Sequence, residues 1–69
     1  MTVWEFMKQM PWYDKWRIVI GEREVTTEPI GTREVEANYD GEIPQGAIDA
    51  LEKVAARVDL VEKIIYSER

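Results

Sequence analysis

"EREVTTEPIGTREVEANYDGE", Glu22 to Glu42, is the stretch whose reading decides how this chain folds. Apolar and charged residues alternate on either side of Glu28-Pro29-Ile30-Gly31. Pro29 at the second position of a turn and Gly31 at the fourth predict a type I turn with a glycine bulge, so that two antiparallel strands fold back on each other. With Glu28 opposite Thr32, Val25 faces Val35 and Arg23 faces Ala37. The other side of this ribbon then carries Glu22, Glu24 and Thr26 against Glu34, Glu36 and Asn38. One face is mildly apolar and the other acidic.

Upstream, "KWRIVI" (Lys15 to Ile20) has the branched and aromatic content of a strand near the middle of a sheet, with Trp16, Ile18 and Ile20 turned to the core. An unbroken strand onward to Thr27 would place Glu22 and Glu24 on that same side. A bulge at Gly21, which tolerates a positive φ, is expected to exchange the faces and bring Val25, Val35, Ala37 and Tyr39 into the core. Trp12 and Tyr13 fall in the turn between Pro11 and this strand, where they either close the end of the core or stand out as contacts. Before them, Thr2 and Glu5 have the spacing of a capping box, and Pro11 ends the helix. Val3, Phe6, Met7 and Met10 lie on one side of that helix, with Trp4 off the line.

Downstream of the ribbon, Pro44 suits a first helical position, and Ala47, Ile48, Leu51, Val54, Ala55 and Val58 recur at helical spacing. Asp49 near the start and Arg57 near the end would complement the helix dipole. After Asp59, "LVEKIIYSER" reads either as a strand, favoured by Ile64, Ile65 and Tyr66, or as a helix continued on a 4-3 spacing, which would imply a homodimer along that seam. The expected architecture is a single α+β domain over residues 1–69, in the order α-β-β-α-β, with an antiparallel sheet built around the central hairpin and packed against helices.

Charge is concentrated in the ribbon. Residues 21–42 hold seven acids and two arginines and account for the whole net charge of -5. Alternate strand residues lie about 6.7 Å apart, inside a Debye length of about 8 Å, so these carboxylates repel one another. The acidic face is either a solvated surface that discourages edge pairing or a site for a basic protein surface, with the carboxylate row standing in for nucleic-acid phosphates. On the second reading Glu22, Glu24, Glu34, Glu36, Asp40 and Glu42 are candidate partner-binding residues, joined by Trp12 and Tyr13. Direct nucleic-acid binding is not expected at a pI near 4.6 with no basic patch.

The chemistry of catalysis finds little material here. The chain has no His and no Cys, which removes the imidazole base, the thiolate nucleophile and N/S zinc ligation. Its glycines stand singly, without a phosphate loop. "DGE" at Asp40 to Glu42 lacks the rest of a calcium loop. No enzyme activity, cofactor or metal is expected, and neither is a signal peptide or a membrane span. Without cysteines the redox compartment cannot be read from cross-links, but a small secreted domain usually carries some, and a cytoplasmic setting, that of a host cell, is the expectation.

The first twenty residues, in particular "TVWEFMKQMPWYDKWRIVIG", resemble the start of small accessory proteins of bacteriophages and prophages, with a short capped helix, a proline beside an aromatic, and a strand. The resemblance implies a phage or mobile-element protein without enzymatic machinery, of the kind that inhibits host enzymes or defence complexes, anti-CRISPR proteins among them. The expected function is inhibition by occluding a basic, nucleic-acid-binding surface of a host protein. The alternative is a structural or assembly protein that acts as a homo-oligomer.

Overall fold

The computed structural model describes residues 1–37 and 43–69; the expectations placed on Asn38, Tyr39, Asp40 and Glu42 lie outside them. The chain is α+β. Helix α1 spans Val3–Gln9, strand β1 Lys15–Ile20, β2 Arg23–Glu24, β3 Ile30–Gly31, helix α2 Thr32–Ala37, helix α3 Gln45–Ala50, strand β4 Ala55–Asp59 and β5 Ile64–Ser67. The sheet runs β2-β1-β5-β4, and β3 also pairs with β1.

The capping box forms as its spacing requires. The Glu5 amide donates to Thr2 Oγ1 at 3.1 Å and the Thr2 amide to Glu5 Oε1 at 2.8 Å, which satisfies two amides that a helix start leaves without partners. The bond from the Thr2 amide, followed by the one with its side chain, holds the Glu5 carboxyl below the usual carboxylate range. Val3 and Met7, one turn apart, are buried, and Phe6 and Met10 pack beside them. Trp4 is half-buried against the same core, with the Lys8 ammonium 5.5 Å from its ring centre.

β1 is central and its alternation holds: Trp16 and Ile18 are buried. Phe6 meets Trp16 edge to face at 5.2 Å, a preferred aromatic geometry. β5 is the strand that its branched residues favoured, but it runs parallel to β1, with Ile18 beside Ile65. The sheet is therefore mixed and not antiparallel throughout. β4 and β5 are antiparallel, with an irregularity between Ala55 and Arg57. Asp59 Oδ1 closes their connection by accepting from the amides of Val61 and Glu62 at 3.0 and 2.9 Å.

The central hairpin does not form. Gly21 has the expected positive φ, 63°, but serves a two-residue reversal, with Ile20 opposite Arg23 and Val19 opposite Glu24. Positive φ at the first loop position alone is the pattern of a type II′ hairpin, whose twist matches its strands. The chain then continues back along β1. The Val25 amide donates to Ile18 O at 2.9 Å, and the Ile18 amide donates to the buried Thr26 hydroxyl at 3.2 Å. Trp16 pairs with Ile30 and Lys15 with Gly31. Residues 23–31 thus cover one edge of β1 with two short strands and a side chain. They do so because a buried backbone amide left without a partner is costly.

Gly31 meets a different demand from the bulge expected of it. A Cβ there would stand 2.7 Å from Asp14 O and 2.9 Å from Glu34 Oε2, so the close approach of the two chain segments needs glycine. Thr32–Ala37 is helical where a strand was expected. Arg, Glu and Ala are strong helix formers, and the Thr32 hydroxyl anchors the helix by donating to Met7 O at 3.1 Å. Val25 and Val35 are half-buried against the core as expected, whereas Ala37 is exposed.

The long C-terminal helix is also shortened. Pro44 is the N-cap of α3, not its first turn, and only Ala47, Ile48 and Leu51 of the helical series remain at that helix. Two tight bonds, from Leu51 N to Ile48 O and from Lys53 N to Ala50 O, close it. Val54 then bridges Thr2, and Ala55, Arg57 and Val58 belong to β4, so Arg57 has no part in a helix dipole, and Asp49 stands at the end of α3 and not in its first turn. Val54 and Val58 fit either period, and long-range pairing decides between them.

The core gathers Val3 and Met7 of α1, Trp16 and Ile18 of β1, Ala47, Ala50 and Leu51 at α3, Ile65 of β5, Ile30 and Ile43. The alternate residues of the two central strands, Arg17, Val19, Ile64 and Tyr66, project from the opposite face and are half-buried. No helix of the described chain is long and apolar enough to cross a membrane.

Candidate protein-binding surface

Redrawing the arm between Glu22 and Ala37 redistributes its acids. Glu22 lies in the exposed β1/β2 loop. Glu24 leaves β2 on the Arg17 side and pairs with Arg17 Nη1 at 2.6 Å. Glu34 sits on α2, where Lys15 Nζ approaches Oε1 at 3.0 Å. Partial burial raises the Glu34 carboxyl, but the Lys15 hydrogen bond and the backbone bonds from Glu34 and Gly31 outweigh it and hold the group below its usual range. Glu36 is exposed on α2 and forms no ion pair among the described residues.

Among the described residues the four acids Glu22, Glu24, Glu34 and Glu36 therefore do not form the expected continuous strip. Glu24 stands opposite Val19 and Glu34 reaches Lys15, four residues apart along β1 or about 13 Å. Two of the four acids in question are matched by the molecule's own cations. The like-charge contact between Glu24 and Glu36 across a ribbon does not exist.

The arrangement does bring other candidates together. The Pro11 corner holds Trp12 and Tyr13 outside the core, 61% and 66% exposed, in edge-to-face contact at 5.9 Å. α2 folds against this corner. The Arg33 guanidinium lies 5.8 Å from the centre of the Trp12 ring, within the range of cation–π attraction. A shallow cleft is lined by Trp12, Thr32, Arg33, Glu36 and Ala37, and a smaller one beside it by Trp12, Tyr13, Lys15, Arg33 and Glu34. Four of the residues expected to bind a partner, Trp12, Tyr13, Glu34 and Glu36, thus share one surface, while Glu22 and Glu24 are elsewhere.

Arg33 is the member that the sequence reading missed. In a strand it faced away from the acids and signalled nothing. On a helix following Gly31 it points back to the aromatic corner, and the helix-forming run "TREVEA" was the signal available.

Such a corner has the composition of a contact surface. Trp, Tyr and Arg are the residues enriched in interface hot spots, because they combine large contact area with a polar handle. The clefts are open, and among the described residues no group of three or more acids is placed to hold a metal ion. Comparison with protein-family models, curated proteins and solved structures finds no match to this chain.

Proposed function

We propose that this chain is a non-enzymatic protein-binding module whose contact surface is the aromatic corner of Trp12 and Tyr13, with Arg33 against the indole and Glu34 and Glu36 at the margin. The observation that carries the proposal is that both residues are about two-thirds exposed in a domain whose small size leaves it a thin stability margin. A small domain that leaves a Trp and a Tyr side by side in water forgoes burial worth about 25 cal/mol per Å² of apolar surface. A partner restores it.

The partner is a protein whose surface is basic around an apolar pocket. The net charge of -5 steers such a protein towards this one, and Glu36 adds a carboxylate beside the rings. In the setting that the first twenty residues resemble, that partner is a host protein and the module inhibits it by covering a nucleic-acid-binding surface. Occlusion then works through an aromatic anchor with acidic flanks, not through a row of carboxylates.

The test is affinity capture from bacterial lysate with the wild type beside Trp12→Ala and Tyr13→Ala, followed by titration of the captured protein. Each variant should keep the wild-type melting curve and lose at least tenfold in affinity, as hot-spot truncations do. Unchanged affinity in both variants, or a melting transition lost in Trp12→Ala, refutes the reading.

A further inference from the structure

Among the described residues β4 ends the sheet, with β5 on one side. The start of its outer edge is occupied by the N-terminus: the Val3 amide donates to Lys53 O and the Ala55 amide to Met1 O, each at 2.9 Å, around the bridge between Thr2 and Val54. From Ala56 to Asp59 no backbone partner lies on that outer edge among the described residues. An open edge is a template for another strand, and the side chains on this one select the strand.

Arg57 pairs with Tyr66 and Asp59 with Ile64, so both project from the face opposite the core, while Val58, beside Ile65, faces inward. Consider two copies of β4 running antiparallel. A register that keeps the cores of both copies on the same side must place each residue opposite one of equal facing. Centred on Arg57 or on Asp59, such a register sets like charges against each other. Centred on Val58, it sets Arg57 opposite the partner's Asp59 and, by symmetry, Asp59 opposite the partner's Arg57. Opposite charges in direct cross-strand positions stabilise a pairing, and like charges weaken it.

The margins agree with this register. Leu60, directly after β4, is 60% exposed, and the pairing brings it towards the partner's Ala56. Val61 and Met1, 89% and 60% exposed, flank the two ends of the same strip.

From this self-matching edge we infer that the chain associates with a second copy of itself through β4, antiparallel about Val58, joining two sheets into one. The contact is short, which makes it a weak and concentration-dependent dimer and leaves the aromatic corner of each copy for its own partner.

Sedimentation velocity from micromolar to millimolar concentration tests this with the wild type, Arg57→Glu and Asp59→Arg. The wild type should show a monomer-dimer equilibrium. Arg57→Glu, an exposed position, should weaken it about tenfold or more, because two attractive pairs become repulsive. Raising the salt should favour the Arg57→Glu dimer more than the wild-type one, since screening relieves the repulsion of the general net charge in both but weakens attractive edge pairs only in the wild type. Mixing Arg57→Glu with Asp59→Arg restores both pairs and should recover association. Asp59 also closes the β4/β5 connection, so circular dichroism must show that its variant is folded; the Arg57→Glu and salt results stand without it. A wild type that stays monomeric, an Arg57→Glu constant equal to the wild type, or a salt response no more favourable in Arg57→Glu than in the wild type overturns the inference and leaves the edge to a foreign strand or to none.

Discussion

Trp12 and Trp16 stand four residues apart in the same dense stretch, and the fold treats them oppositely. Trp16 alternates with Arg17 and Ile18 on a strand whose two faces differ, is 1% exposed, and is contacted by Phe6. Trp12 lies in a corner with no periodicity, is 61% exposed, and is contacted by Tyr13 and Arg33. The same side chain is a structural centre where a regular element gives it a direction. Where the backbone turns, its role depends on what the rest of the chain brings near it.

The sharpest way to break the comparison is to truncate both rings. Trp16→Ala should cost about 3–5 kcal/mol, a large part of the roughly 3–10 kcal/mol that holds a domain of this size, and leave a chain mostly unfolded by circular dichroism. Trp12→Ala should remain within about 0.5 kcal/mol of the wild type in urea. Equal losses would mean that the corner belongs to the core.

A smaller effect sharpens the account of how β1 is edged. Thr26→Val removes the acceptor of the Ile18 amide and should destabilise by about 1–3 kcal/mol, the cost of a buried polar group without a partner, whereas Thr26→Ser should recover most of it. If Thr26→Val is neutral in urea melts, residues 25–29 do not run along β1 as described.

The smallest effect concerns the ion pair beside the aromatic corner. Because the folded state holds the Glu34 carboxyl below its usual range, the stabilisation is complete above the ordinary carboxylate pKa and is lost as pH falls through the lowered folded value. Lys15→Ala should therefore lower the urea midpoint at pH 7, by about 0.2–1 kcal/mol for so exposed and screened a pair, and converge with the wild type in strong acid. A gap that persists undiminished at low pH would show that Lys15 contributes by packing alone.

The contrast between the two tryptophans also marks what the sequence disclosed. The capping box of Thr2 and Glu5, the inward face of β1 and the β5 strand follow from local spacing, and each survives in the fold. The arm from Arg23 to Ala37 does not, because "TREVEA" satisfies a strand by alternation and a helix by propensity. The choice falls to contacts distant in sequence, from Thr32 to Met7 and from Ile30 to Trp16. Val54 to Val58 departs from the expected helix for the same reason, its partners being Thr2 and β5. The candidate site inherits the error in part: its aromatic residues were legible, while Arg33 and the ion pairing of Glu24 and Glu34 depend on where the arm lies.

That path of the arm also places Glu34 and Glu36 beside Trp12, so the measurement that tests the account most directly is a nuclear Overhauser spectrum of the labelled chain. Cross-strand contacts of Trp16 with Ile30, together with contacts three residues apart through Thr32–Ala37, are the predicted result. Cross-strand contacts between Val25 and Val35 would contradict it and restore the hairpin.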